Sequence, residues 1–315
     1  MHSGALLTTL QAREAGPVAW RALRLQQSGA VHSVFSRSAY FELGEALVCI
    51  GPRGLGNGPL NLLCEPWPDG PALAARIAPG DAIAADGWSI RVGAFAISLA
   101  GLSAWRPPPA AMAWEADALR RGLGIATAVT CDHLPADGLA PLLRPDPREI
   151  GSLPPVARAA HAPAQYLASL VEAATSGRTP RIDADRIASL LGLGPGLTPS
   201  GDDYLGGALV ALARLDLTSL RDAIWGAIRP RAPALTNAVS YAHLAAAAEG
   251  FGSAALHALI DAMLAADAPA ISAGVRAVAA IGHTSGWDAY AGAAAVLRAR
   301  ALATEHAWAV TGAPA

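Results

Sequence analysis

The chain has 315 residues, 53% of them apolar, and a formal net charge of −2. This length and composition predict a folded globular protein with one large or two moderate domains and a well-buried core. No run of basic residues is present, which argues against nucleic acid and anionic membrane surfaces as partners.

The basic residues limit the chemistry further, because all 23 of them are arginine. Without lysine, a Schiff-base mechanism and the P-loop type of phosphate site are both excluded. No G-x-S-x-G or H-E-x-x-H pattern occurs, so those hydrolases and zinc proteases have no support. Any bound anion must therefore meet arginine, backbone N–H groups or a metal ion.

The first half of the chain carries strand signals. β-branched and aromatic residues alternate with other residues in four stretches, at 31–43, 46–50, 60–64 and 82–102. Turn clusters separate these stretches, and one of them holds Asn57 within G-N-G-P. His32 and Asn57 are the candidate substrate-binding residues of this half, and a plain strand or turn role is the alternative for each.

The cysteines indicate the compartment. Cys49, Cys64 and Cys131 lie far apart and form no C-x-x-C pair, which fits reduced, buried thiols better than a disulfide framework. The first residues lack a signal-peptide pattern, and no apolar run reaches the roughly 20 residues that a membrane span needs. We therefore expect a cytoplasmic protein with no membrane partner.

The pattern changes from strand to helix in the middle of the chain. Prolines are frequent between residues 107 and 155, and from residue 164 onward Ala and Leu recur at three- and four-residue spacing. The helical stretches are 164–176, 184–191, 202–215, 233–249, 253–266, 269–281 and 287–303. The prediction is an α+β protein, with a mostly-β domain at 1–150 followed by an α-helical bundle at 151–315.

Two breaks between the predicted helices resemble each other. The pattern S-G-x-D-x-x-x-G-A occurs at 200–208 and again at 285–293, a separation of 85 residues, and each copy closely follows a threonine. This predicts two helices whose N-terminal ends meet, with Gly207 and Gly292 permitting close contact. Chance similarity in a chain rich in Ala and Gly is the alternative.

The first of these helix starts follows the glycine-rich sequence G-L-G-P-G-L-T-P. Ser200 and Asp203 fit a capping box, in which each side chain caps the same helix. Glycines such as Gly194 and Gly196 would let a ligand approach the helix N-terminus, which attracts anions. A helix start preceded by a tight glycine turn is the simpler alternative.

The adjacent acids complicate anion binding. Like charges a few ångström apart repel by about 4 kcal/mol at an effective dielectric constant of ~20, so an anion beside Asp202 and Asp203 needs compensation. A Mg²⁺ ion bound by both aspartates would supply it, as would Arg231 or Arg276. A cationic or amide-bearing ligand is the third alternative. No cofactor is required by the sequence, and Mg²⁺ is the one that it suggests.

Polar residues at the other breaks are further candidates. His283 directly precedes the second helix start, where it would act as acid, base or metal ligand. Thr236, Ser240 and His243 share one helix face. Arg276 stands among apolar residues, so it reaches either solvent or an anion. An ordinary structural role is the alternative for all of them.

Several motifs together resemble a known family. G-L-G-P-G-L-T-P-S-G-D-D at 192–203 and G-H-T-S-G-x-D at 282–288 are the specific ones, supported by H-S-V-F at 32–35, G-N-G-P at 56–59 and T-x-x-x-S at 236–240. They resemble a bacterial family, once catalogued as a domain of unknown function, that includes one subunit of the three-subunit oxamate carbamoyltransferase of allantoin degradation. The resemblance spans most of the chain.

The resemblance implies a part in purine catabolism, in the exchange between oxalurate plus phosphate and oxamate plus carbamoyl phosphate. It also implies partner subunits, and it leaves open whether this chain is itself catalytic. A noncatalytic subunit for assembly or metabolite sensing is the alternative. The metabolite would be a small anion or amide, which suits N–H donors and arginine.

The residues predicted for the site rest on the physical argument alone. The catalytic candidates are His283, Asp203 and Asp288. The substrate-binding candidates are Gly194, Gly196, Thr198, Ser200, Gly201, Asp202, Thr284, Ser285, Gly286, Thr236, Arg276, His32 and Asn57. Asp202 and Asp203 are the candidate Mg²⁺ ligands.

Overall fold

The structure is a computed structural model that describes residues 8–68, 73, 75–93, 95–109, 113–131, 133–144 and 147–311. The chain divides into two compact units, Met1–Pro107 and Pro108–Ala315. The first is built mainly from strands and the second from helices, so the predicted α+β class is confirmed.

The first unit is a closed sheet. Its strands are β1 (Thr8–Ala15), β2 (Gly29–Val34), β3 (Ala39–Leu43), β4 (Ala46–Pro52), β5 (Asn61–Glu65), β6 (Ala82–Ala85), β7 (Ser89–Val92), β8 (Phe95–Ser98) and β9 (Ser103–Ala104). The order is β5-β4-β3-β2-β6-β7-β8-β1, and β1 pairs back with β5 while β9 adds to β1. Eight strands thus form a barrel, and closure satisfies the strand edges that an open sheet would expose.

The interior of the barrel follows the two-residue period of strands. On β7, Ile90 and Val92 are buried whereas Arg91 between them is exposed, and Phe95 and Ile97 of β8 are buried in the same way. Cys49 and Cys64 are unpaired and buried in this unit, where burial raises their pKa values to about 11 and about 12.

One helix begins against the G-N-G-P turn of the first unit. Helix α1 (Pro17–Arg24) starts with proline, and its Val18 amide donates to the Pro59 carbonyl at 3.0 Å. A Cβ atom on Gly16 would lie 1.9 Å from the Gly58 carbonyl oxygen. The turn that contains Asn57 therefore has a structural role in satisfying the start of α1.

The second unit is a helical bundle. Its helices are α2 (Ala116–Thr130), α3 (Pro155–Thr175), α4 (Ala184–Ala188), α5 (Ser200–Arg214), α6 (Thr218–Ile228), α7 (Ala232–Leu235), α8 (Ala238–Ala248), α9 (Ala254–Ala265), α10 (Ala268–Ala279) and α11 (Ser285–Thr311). Helices α5 and α11 pack on each other most extensively, and α5 is buried along most of its length. None of the helices in the described ranges is long and apolar enough to cross a bilayer.

The boundary between the units lies earlier than the sequence-based estimate near residue 150. Helix α2 packs on α9 and α10, and a Cβ atom on Gly122 would lie 2.0 Å from the Met263 carbonyl oxygen. Arg214 Nη1 also donates to the Pro108 carbonyl at 2.7 Å. The proline-rich segment after residue 107 therefore belongs to the helical unit. Cys131, expected to be buried, is exposed just after α2.

Candidate functional site

The two helix starts predicted to be alike are built in the same way. The Gly201 amide donates to the Leu193 carbonyl at 2.9 Å, and the Gly286 amide donates to the Ile281 carbonyl at 3.1 Å. In each copy a glycine with positive φ, Gly194 at 109° and Gly282 at 61°, precedes the first serine of the helix. The chain of the first copy is longer, since five residues separate Gly194 from Ser200 and two separate Gly282 from Ser285.

The helices touch where the sequence predicted close contact. A Cβ atom on Gly207 would lie 1.8 Å from the Ala289 carbonyl oxygen, and one on Gly292 would lie 1.9 Å from the Tyr204 carbonyl oxygen. Gly207 and Gly292 lie 85 positions apart in the chain, and so do Tyr204 and Ala289. Equivalent residues therefore make equivalent contacts, and the two copies form a symmetric helix pair.

The serine and aspartate of each copy serve the opposite helix. The Ser285 hydroxyl of α11 interacts with the Asp203 carboxylate of α5, and the Ser200 hydroxyl of α5 interacts with the Asp288 carboxylate of α11. The predicted capping box of Ser200 and Asp203 is therefore wrong. The N-cap position of α5 is Pro199, whose side chain has no hydrogen-bonding group, and Asp203 is turned toward the second helix.

Asp288 is the more enclosed of the two aspartates. It has no exposed surface, and its Oδ1 accepts a 2.6 Å hydrogen bond from the Leu139 amide. A Cβ atom on Gly138 would lie 2.5 Å from the same oxygen, so only glycine fits beside it. Sequence reasoning missed Gly138 and Leu139, whose only signal is a short turn sequence after Pro135.

Asp203 is partly exposed, but its Oδ2 atom is buried. Beside it the Thr198 and Ser285 hydroxyl oxygens are hydrogen-bonded to each other at 2.9 Å. Within the described part of the chain, neither Asp203 Oδ2 nor Asp288 Oδ2 has a hydrogen-bond partner of ordinary geometry. Two carboxyl groups from two helix starts thus each present an unpaired oxygen.

The pKa values of both carboxyl groups are raised. Burial raises the pKa of Asp203 well above its usual range, the Ser285 and Thr198 hydroxyls lower it in part, and Asp288 and Asp202 raise it further. Burial also raises the pKa of Asp288 against the lowering effect of the Leu139 amide. Neighbouring buried acids titrate as a pair, so one proton is retained to a higher pH than an ordinary aspartate would allow.

Asp202 has a different role, because protein donors occupy both of its oxygens. The Gly192 amide donates to Oδ1 at 2.9 Å, while Ser240 Oγ, at 2.7 Å, and Thr236 Oγ1 donate to Oδ2. This explains the T-x-x-x-S motif and fixes the glycine-rich loop to the start of α8. Consecutive helical residues also point in different directions. The geometry gives the proposed magnesium pair of Asp202 and Asp203 no support, and the described residues hold no metal-binding group of three or more ligands.

The remaining candidates are arginines and histidines, and the interactions that the structure gives for them involve residues other than Asp203 and Asp288. Arg231 forms an ion pair with Asp185, and Arg276 is exposed on the last turn of α10. The side chain of His283 is 86% exposed, with Nε2 located 3.7 Å from Asp137 Oδ2. Burial lowers the pKa of His243 to about 4, so it is neutral near pH 7.

The structure places the other glycines and first-unit candidates as follows. Gly196 has φ of 107° and open space around a Cβ atom, whereas Gly201 and Gly286 pack on the carbonyls of Leu190 and Val278. His32 is the extra residue of a bulge between β2 and β3, and its Nδ1 lies 3.1 Å from Ser33 Oγ. His32 and Asn57 belong to the first unit, and the site described above belongs to the second.

Comparison with known families completes the description. A family model described as "Oxamate carbamoyltransferase subunit AllH" matches residues 190–297, which include both helix starts. A second model, "AllH family N-terminal domain", matches residues 8–104, which cover the barrel. No solved structure matches the chain. Since the two models together cover most of the sequence, the chain belongs to the AllH family of oxamate carbamoyltransferase subunits.

Proposed function

We propose that this chain is the subunit of an oxamate carbamoyltransferase-like enzyme that binds the small metabolite at the paired starts of α5 and α11. Family membership supports a subunit role and hence partner subunits. The reaction would convert oxalurate and phosphate into oxamate and carbamoyl phosphate. In it, the carbamoyl C–N bond of oxalurate breaks, a C–O bond to phosphate forms, and the nitrogen gains a proton. The unpaired cysteines fit a cytoplasmic enzyme.

The observation that carries this proposal is the pair of unpaired carboxyl oxygens, on Asp203 and Asp288, at two facing helix N-termini. Buried polar atoms are almost always satisfied, so unpaired ones mark a place where a ligand or proton is expected. The positive end of each helix dipole favours an anion there. The hydroxyls of Thr198 and Ser285 add neutral hydrogen-bonding groups beside it.

Protonation answers the electrostatic objection raised by the sequence. Two ionised aspartates would repel an anionic metabolite, but burial and the neighbouring acids raise the pKa of Asp203, which favours its uncharged form and reduces that repulsion. Asp202 is held in place by protein donors and is not required to bind the ligand. The site therefore accommodates a small anion without magnesium and without arginine among its own contacts.

The test is binding by the full chain. Calorimetry should detect oxamate and carbamoyl phosphate, and Ser285→Ala, which removes the hydroxyl between Thr198 and Asp203, should weaken binding roughly tenfold. Ser169→Ala is the matched control, because its exposed hydroxyl donates to the Tyr166 carbonyl on its own helix. Absence of binding, both by the chain alone and with its partner subunits, would refute the proposal.

A noncatalytic subunit for metabolite sensing or assembly is the second candidate. The complete burial of Asp288, one of the predicted catalytic residues, favours it, because a side chain that protein encloses on all sides is poorly placed to take part in a reaction. Turnover separates the two functions. If Ser285→Ala lowers metabolite affinity in the reconstituted enzyme and leaves turnover at saturating substrate unchanged, the sensing role is supported; a matching loss of kcat supports catalysis.

A further inference from the structure

We propose that Asp203, in its acid form, pairs with the carbamoyl or primary amide group of the metabolite and thereby selects amides over carboxylates. This inference rests on the proposed function, since it assigns a specificity-determining residue within the same site. It concerns the uncharged end of the ligand, which the helix N-termini do not recognise.

The geometry distinguishes Asp203 from its symmetry equivalent. Asp203 is partly exposed as a residue, whereas Asp288 is fully enclosed and held by the Leu139 amide. Asp203 Oδ2 is buried and lacks a partner among the described residues, while the hydroxyls of Ser285 and Thr198 interact with the carboxyl group and also bond each other. Oδ2 of Asp203 is therefore the position left for a proton and a ligand.

The charges around Asp203 favour that proton. The ionisable groups that affect it are Asp288 from α11 and Asp202 from its own helix, both acids, and burial acts in the same direction to raise its pKa. His283 lies on the turn before α11, but its imidazole faces Asp137. Asp288 thus acts as a positioning residue that helps to keep Asp203 neutral.

A neutral carboxyl group is complementary to an amide. It offers one O–H donor and one C=O acceptor, and a primary amide offers the matching C=O and N–H, so two hydrogen bonds form in one ring. A ligand carboxylate has acceptors only and would leave the Asp203 carbonyl oxygen facing another oxygen. Oxamate and oxalate differ by this one group, which makes them the sharpest pair of probes.

The experiment measures the affinity ratio of oxamate to oxalate by calorimetry, on the full chain and on the enzyme reconstituted with partner subunits. Wild type should prefer oxamate by about tenfold or more, because a buried polar group left unpaired is costly. Asp203→Asn keeps one donor and one acceptor and should retain the preference. Asp203→Ala should lose it.

The pH profile separates recognition from a structural role. In wild type the preference should decline as pH rises through the raised pKa of Asp203, whereas Asp203→Asn should keep a constant preference. Asp185→Asn, which changes an exposed carboxylate on α4, is the control and should follow wild type.

Three results have distinct meanings. If Asp203→Asn unfolds at the wild-type temperature yet loses the preference for oxamate as completely as Asp203→Ala, Asp203 does not act as an acid and the inference is overturned. An unchanged preference in Asp203→Ala overturns it as well. If wild type binds neither probe under either condition, the proposed function fails first.

Discussion

Asp202 and Asp203 are neighbours in sequence with opposite environments. Asp202 accepts hydrogen bonds from Gly192, Thr236 and Ser240, so its carboxyl group holds the glycine-rich loop. Asp203 faces another acid across the helix pair and lacks a partner for one oxygen. Sequence reasoning found both residues but not this division, because two of the donors, Thr236 and Ser240, lie 34 and 38 residues away in the chain and leave no pattern near Asp202.

The residue scale also explains which candidates the sequence could find. Ser200, Ser285, Asp203 and Asp288 share a repeated motif, and the structure brings them together. Gly138 and Leu139 contact Asp288 from a distant turn, and a single turn sequence does not indicate a contact 149 residues away. Contacts of that separation depend on the fold and not on the local pattern.

The raised pKa of Asp203 makes a prediction about stability. Its folded pKa lies above the value of about 3.8 in the unfolded chain, so the folded state binds the proton more tightly. Its contribution to stability is complete below that unfolded value and is lost as pH rises through the folded pKa. Relative to wild type, Asp203→Asn should therefore become progressively more stable as the pH rises from about 5 to about 8.5, a range that brackets neutrality.

The measurement is the difference in unfolding free energy between the two proteins, from denaturant titrations at each pH. The difference is needed because His243 and His257, whose pKa values burial lowers to about 4, add an opposing pH dependence to both proteins. Asp288 and Asp202 are also present in both the wild type and the Asp203→Asn variant. A difference that is independent of pH would show that Asp203 is ionised throughout the range.

At the element scale, the helix boundaries show what periodicity can and cannot indicate. The predicted helix at 233–249 is two helices in the structure, because Asn237 caps α8 by accepting from the Ser240 amide at 3.0 Å. Helices α2 and α6 were missed, and α3 begins at Pro155, before its predicted start. Strand stretches were recognised, yet closure of the barrel depends on the pairing of β1 with β5, which alternation does not encode.

The contact between α5 and α11 makes the element-scale prediction. Gly207→Ala and Gly292→Ala each place a methyl group within 2 Å of a carbonyl oxygen, which forces the helices apart. Each should reduce the free energy of unfolding by about 3 kcal/mol, as overpacking does. Gly226→Ala is the matched control on α6, where a Cβ atom meets open space, and it should stabilise by about 0.5–1 kcal/mol.

Chemical denaturation of the three variants tests this expectation. Losses at Gly207 and Gly292 should be similar, because the two positions are symmetry equivalents. If either variant is as stable as wild type, the helices do not approach as closely as the structure shows.

At the scale of the whole molecule, the sequence indicated the order of a β unit and a helical unit but placed their boundary near residue 150. The prolines between 107 and 155 suggested a linker, since they break regular structure. In the structure this segment includes α2, and Leu119, Leu123 and Ala126 of that helix are buried in the helical core. Proline frequency shows where helices are interrupted, and it does not show which core a segment joins.

The boundary leads to a prediction about fragments. A fragment of residues 108–315 should fold alone with a cooperative unfolding transition, because it contains the complete helical core. A fragment of residues 151–315 lacks α2, which exposes the faces of α9 and α10 that α2 covers, and it lacks the Leu139 amide that binds Asp288. It should bind a hydrophobic dye and unfold without a sharp transition. Circular dichroism with dye fluorescence measures both properties, and equal cooperativity of the two fragments would place the segment 108–150 outside the helical unit.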